Sequence, residues 1–197
     1  MLTEIFRDDI DLAVWTRSLD ARLDAAVASA LLAEPTLKTN AVVKPNNIHA
    51  VLAKKSAGAI PDDLVDDLAK LVDMFCCLFD KAHAGLRLVA LSGTLCPRFH
   101  IDHVACRLVT TYHGRATEWL PRNKVDRTQL GARRRTQSDS SSGLYRHASA
   151  VKQVAPGDVA LFKGSLWSPQ GDPGLVHRSP TLHPGEKRLL MSLDIID

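Results

Sequence analysis

Beyond Gly85 the chain consists of short extended-type runs separated by turn residues, with no helical stretch between one run and the next. The runs are Leu86 to Leu91, Arg98 to Asp102, Cys106 to Tyr112, Ala116 to Leu120, Val159 to Lys163, Leu175 to Arg178 and Arg188 to Ile195. Runs of this length, punctuated by Gly, Pro, Asn and Asp, read as strands. Parallel strands need long crossovers, usually helices, so a series without them closes antiparallel, as a sandwich or barrel.

The first 85 residues follow a different period. Leu12, Trp15, Leu19, Leu23, Ala26 and Ala30 recur at three-to-four spacing, which predicts an amphipathic helix from Asp9 to about Leu32. Thr39 to Val43 reads as extended, and Asn46 or Asn47 as the cap of a helix running to about Ala57. Pro61-Asp62-Asp63 suits a first helical turn, where proline loses no hydrogen bond and carboxylates meet the positive helix end. Leu64, Leu68, Leu71, Phe75, Leu78 and Phe79 continue that helix toward Gly85. The expected organisation is a helical segment, residues 1–85, packed on a β core of residues 86–197, with a loop insertion at about 123–150.

Composition excludes several classes. A chain of 197 residues that is 45% hydrophobic buries roughly 70% of its unfolded surface and needs no disulfides to hold a core. A net charge of +3 points to neither nucleic acid nor a membrane surface. The longest apolar runs, such as Ala26 to Ala33, fall far short of the ~20 residues of a membrane span. Acids stand near the N-terminus where a secretory signal carries basic residues, so a cytoplasmic location is expected, with Cys76, Cys77, Cys96 and Cys106 reduced. Residues 123–150 carry Lys124, Arg127, Arg133, Arg134, Arg135 and Arg146 beside a serine-rich stretch. Two readings stay open for it: a solvated insertion, or a lid or docking surface for an anionic partner. Three consecutive arginines without neighbouring aromatics do not amount to a nucleic-acid surface.

The chemistry-bearing residues lie in the strand region. In Arg98-Phe-His-Ile-Asp-His103, His100 and Asp102 share one face of an extended run. A third candidate ligand, His177, closes the apolar run Leu175-Val-His. Two histidines and one carboxylate on one face of a metal leave positions open for other ligands, as in non-heme Fe(II) oxygenases. Arg188 opens the last run about ten residues later. His103, His113, His147 and His183 have no partner at ligand spacing.

The order His100-x-Asp102, long gap, His177, then Arg188 resembles the double-stranded β-helix oxygenases that use Fe(II) and 2-oxoglutarate. Gly157-Asp-Val-Ala-Leu-Phe162 and Gly114-Arg-Ala-Thr117-Glu-Trp119 match further elements of that pattern. More narrowly, CPRFHIDHVACRLVTTYHGRATEWLP with GDVALFKG and GLVHRSP is similar to the bacterial family of domain of unknown function 1826. The wider resemblance implies a jelly-roll or cupin-like barrel with a mononuclear metal on His100, Asp102 and His177. It also implies Arg188 on the distal carboxylate of 2-oxoglutarate, and hydroxylation or demethylation of an unidentified substrate. Tyr112 is a candidate for a second hydrogen bond to the co-substrate. The sequence departs from the pattern at Ser192, which stands four residues after Arg188 rather than two. An alternative is a non-catalytic zinc protein of metal homeostasis, its site closed by Cys106, which thiolate chemistry would favour. A degenerate barrel acting as an interaction module would bind no metal.

Overall fold

The computed structural model describes residues 1–131, 139–168 and 174–196. Its elements in chain order are β1 (Leu12–Trp15), α1 (Ala21–Ala33), β2 (Lys38–Val43), α2 (Ile48–Ser56), α3 (Asp62–Phe79), β3 (Ala84–Leu91), β4 (Cys106–His113), β5 (Glu118–Leu120), β6 (Lys152–Gln153), β7 (Val159–Lys163), β8 (Val176–Arg178) and β9 (Arg188–Asp194). Arg133, Arg134 and Arg135 lie outside the described residues.

Six strands form one antiparallel sheet in the order β1-β7-β4-β9-β3-β2, and β6-β5-β8 form a second, smaller sheet. The two sheets face each other across an apolar layer of Val109, Ala160 and Phe162 from the first, with Ala116 and Leu175 opposite. This is a double-stranded β-helix, a mainly β fold with three helices on its outer side. The helices cover the outer face of the large sheet, where Leu64, Leu68, Leu71 and Phe75 of α3 are buried against Leu86, Leu88, Leu108 and Leu161. Each such side chain contributes about 1.5–3 kcal/mol of burial.

Local chemistry sets the helix ends. Asp20 accepts the Leu23 backbone N–H at 2.9 Å, capping α1, and α3 starts after Pro61 with two acids in its first turn. Asp80 ends α3 in the left-handed conformation, φ 51°. The helix expected from Asp9 therefore begins only at Ala21. Leu12–Trp15 pairs instead with β7, Leu12 opposite Phe162 and Trp15 opposite Val159, because an open strand edge overrides a local three-to-four spacing. At the other margin β2 pairs with β3. Residues 1–85 thus supply both edge strands of the large sheet as well as its helical cover.

The expected strand Arg98–Asp102 is reduced to one antiparallel bridge, between His100 and His177. The Phe99 N–H donates to the Asp139 carboxylate at 3.0 Å, and Pro97 has no N–H to contribute to a ladder. The described parts of the 123–150 insertion lie on the outer face of the small sheet. Leu144 there packs with Phe99, Leu120 and Val176, joined by Val125, Tyr145 and Ala150. They form an outer wall rather than a cover over the barrel interior. No helix among the described residues is long and apolar enough to cross a membrane.

Candidate metal centre

His100, Asp102 and His177 converge, each offering one ligand atom, all within 4.8 Å of one another. The paired backbone of His100 and His177, with N–H···O bonds of 2.9 and 3.0 Å in the two directions, sets the two imidazoles side by side. Their ring centroids are 4.7 Å apart. Asp102 arrives from the turn that follows. That turn is suspended on the strand end after β7: the Ser165 N–H donates to the Asp102 carbonyl at 2.9 Å and the Leu166 N–H to the Val104 carbonyl at 3.1 Å. Gly164 is required there, since a Cβ would stand 2.0 Å from the Val104 oxygen and 2.8 Å from the Asp102 oxygen.

Tautomers follow from the backbone. The His100 Nδ1 lies 2.8 Å from the Arg98 carbonyl and the His177 Nδ1 lies 3.1 Å from the Leu175 carbonyl. A carbonyl only accepts, so each Nδ1 carries a proton and each ring turns its Nε2 inward, as a lone pair in the neutral imidazole or as a second N–H in the cation. Both Nε2 atoms stand 3.3 Å from the Asp102 carboxylate, one on each oxygen. Lone pairs facing one another at that distance repel unless a proton or a cation lies between them. The donor set, two imidazoles and a carboxylate, suits a divalent transition metal. Burial alone would raise the Asp102 carboxyl, but the hydrogen bonds from His100 and His177 and the Arg107 charge hold it well below the carboxylate range. The same bond raises the His100 imidazole against the effect of burial.

Arg107, which sequence reasoning did not single out, orders the carboxylate. Its Nη1 donates to Asp102 Oδ2 at 2.6 Å, while Nε and Nη2 hold Asp194 at 2.6 and 2.8 Å. The alternation of β4 held the signal: Arg107, Val109 and Thr111 share the barrel face, and a charge in so apolar a strand requires a partner.

Arg188 also points inward. It is 1% exposed, and its guanidinium donates to Thr111 at 3.1 Å, Thr117 at 2.9 Å and Ser179 at 3.4 Å. Its Nε has no acceptor, and no carboxylate among the described residues pairs with it. Burial pulls its pKa down to about 10. Ser179 is two residues beyond His177, roughly 7 Å along an extended chain, so this unbalanced cation sits beside the three ligands. A carboxylate is the group it fits.

Tyr112 does not join the site. Its hydroxyl donates to Asp67 of α3 at 2.6 Å, and Arg17 grips the same carboxylate at 2.6 and 2.8 Å. Burial and Asp67 push its phenol well above the ordinary value. Cys106 is likewise on the outer face, fully buried in the helical core, and burial pushes its thiol up to about 12. Residues 101–105 turn rather than continue a strand, so the even offset from His100 does not carry Cys106 to the same face. The cysteine-closed zinc site is therefore not formed.

In three-dimensional comparison the chain is similar to the rice dioxygenase for auxin oxidation. They share 12% identity and a TM-score of 0.58 over 96% of this chain and 74% of that one. A candidate oxygenase from Shewanella oneidensis gives 12% identity and a TM-score of 0.52 over 98% of this chain and 83% of that one. The Arabidopsis thaliana dioxygenase for auxin oxidation, solved as a binary complex with 2-oxoglutarate, gives 6% identity and a TM-score of 0.47 over 96% and 84%. The first two likenesses show a shared double-stranded β-helix fold. No curated protein matches the chain by sequence. The family model described as "Protein of unknown function (DUF1826)" matches residues 1–194, and the chain belongs to that family.

Proposed function

We propose that this protein is an Fe(II)- and 2-oxoglutarate-dependent oxygenase that hydroxylates or demethylates a substrate. His100, Asp102 and His177 hold the metal, and Arg188 holds the distal carboxylate of 2-oxoglutarate. The observation that carries this reading is the buried, unbalanced Arg188 beside three converging metal-type ligands. A cation without a counter-carboxylate is a costly thing to bury unless an anion arrives, and Thr111, Thr117 and Ser179 fix its fork in advance.

The iron, when bound, supplies the O2 chemistry. The chain supplies the rest. Arg107 occupies Asp102 Oδ2, leaving Oδ1 as the freer ligand oxygen. The Arg98 and Leu175 carbonyls hold both imidazoles with Nε2 inward. Val109, Phe162, Leu175 and Leu190 keep the interior apolar, which strengthens the charge interactions within it.

Titration of the anaerobic protein with Fe(II) and 2-oxoglutarate tests the proposal. A weak visible charge-transfer band is expected in the wild type, together with its loss in Arg188→Ala and loss of metal in His177→Ala. Tightly held zinc with no band, or stoichiometric metal retained by His177→Ala, overturns it.

A further inference from the structure

The two sheets are unequal in width, and the difference leaves part of the barrel interior uncovered by the described residues. The apolar layer between them involves β1, β7, β4 and β9; β3 and β2 continue the large sheet beyond it. On β2 the inward residues Lys38, Asn40 and Val42 are exposed, Val42 at 60%. This margin is the open side of the barrel.

Arg87 stands on that margin. Gly85 of β3 is level with Asp194 of β9, which is level with Arg107 of β4. Arg87, two residues on, therefore shares the inner face and is flanked by Ser192 on one side and Asn40 on the other. Along the inner face of β9 run Arg188, Leu190, Ser192 and Asp194. Ser192, and Arg87 beside it, thus fall between the co-substrate cation at one end and the carboxylate tied to the metal ligands at the other. Arg87 is half-buried, and its Nε is shielded from water without an acceptor. No carboxylate among the described residues pairs with it: Asp194, diagonal to it, commits both oxygens to Arg107. Lys38 adds a second cation one inward position further along β2, level with Val89.

We infer that Arg87 binds an oxyanion, a carboxylate or phosphate group, carried by the substrate; this rests on the oxygenase reading above. The inner arginines then divide the work. Arg188 takes the co-substrate, Arg107 orders the metal ligand, and Arg87 orients the substrate from the open side.

The experiment uses full-length protein loaded with Fe(II) and 2-oxoglutarate under anaerobic conditions. The probes are benzoate, hexanoate and phenyl phosphate, against benzamide, hexanamide and phenol, followed through the Arg87 Nε–H resonance, which is assigned by its loss in Arg87→Gln. At least one acid is expected to bind tenfold or more tightly than its neutral counterpart, and to weaken at least tenfold in Arg87→Gln, with Arg87→Lys intermediate. The carboxylate and phosphate arms identify which oxyanion is taken. The affinity for 2-oxoglutarate is expected to stay within twofold in Arg87→Gln. Acids that bind no better than their neutral counterparts overturn the inference. So does a 2-oxoglutarate affinity that falls with Arg87→Gln as far as the acid does, which would place Arg87 in the co-substrate site. The charge-transfer band in the same wild-type samples reports separately on the oxygenase reading, and the acid-against-neutral comparison can be read whether or not it forms.

Discussion

Replacing Arg188 with methionine separates a ligand-binding arginine from a structural one. Burial lowers this guanidinium from its ordinary value to about 10. At about 1.4 kcal/mol per unit, the charged form is disfavoured by roughly 3 kcal/mol in the folded protein. The sign is that of a cation with a lowered folded pKa: the penalty is present at every pH below about 10 and fades only as pH rises toward the unfolded value. Hydrogen bonds to Thr111, Thr117 and Ser179 offset it. Arg188→Met removes penalty and bonds together, so the Tm of the ligand-free protein should shift by no more than about 4 °C, the equivalent of roughly 1 kcal/mol. Binding behaves differently. A carboxylate that pairs with Arg188 recovers most of that 3 kcal/mol, so the variant should bind 2-oxoglutarate about 100-fold more weakly. At a concentration 100 times the wild-type Kd, the ligand should stabilise the wild type by about 2.7 kcal/mol and the variant by about 0.4 kcal/mol. Thermal melts with and without 2-oxoglutarate and metal measure both quantities. A variant that keeps the ligand-induced shift, or a ligand-free Tm that falls by more than 10 °C, refutes the reasoning.

Arg107→Met should weaken metal binding about 10- to 100-fold in a chelator competition, because Asp102 loses the group that orients it; Arg107→Lys, unable to span Asp102 and Asp194 together, should recover only part. Tyr112→Phe should lower stability by about 1–3 kcal/mol in urea unfolding, through the lost bond to the Asp67 carboxylate, and leave 2-oxoglutarate affinity unchanged. Gly164→Ala should displace the turn bearing Asp102, seen as a destabilisation of about 2 kcal/mol or more with a parallel loss of metal affinity. Toward iodoacetamide at pH 8, Cys77 and Cys96 are exposed and should react, while Cys76 and Cys106 are buried and should not. Burial raises both of those thiols, Cys106 to about 12, so little thiolate forms; mass mapping of the labelled cysteines checks this.

Period and punctuation made much of the fold legible. The stripe of α3 from Leu64 to Phe75, and turn-bounded runs such as Val159–Lys163 and Arg188–Asp194, report burial directly in the pattern of residues. The stretch from Asp9 reads as helix because Leu12 and Trp15 satisfy helical spacing by coincidence, while their partners on the β7 edge, Phe162 and Val159, lie 150 and 144 residues away. Tyr112 lies outside its expected place for another reason. β4 is buried on both faces, so its alternation says which residues share a side but not which side is the interior. The apolar run around Arg107 marks it as needing a partner without naming one, and nothing local marks Arg87, because an arginine in a strand acquires a role only once its partners, or their absence, are known.

By itself, then, the sequence determined the strand-rich class, the helical cover and the candidate ligands His100, Asp102 and His177 with Arg188, since these depend on residue type and local order. Tertiary structure alone decided that three ligand atoms meet within 4.8 Å, that Arg188 is buried with no counter-charge among the described residues, and that Cys106 and Tyr112 face away. Those facts depend on which strands pair and which face turns inward, and pairing is fixed by contacts between residues far apart in the chain.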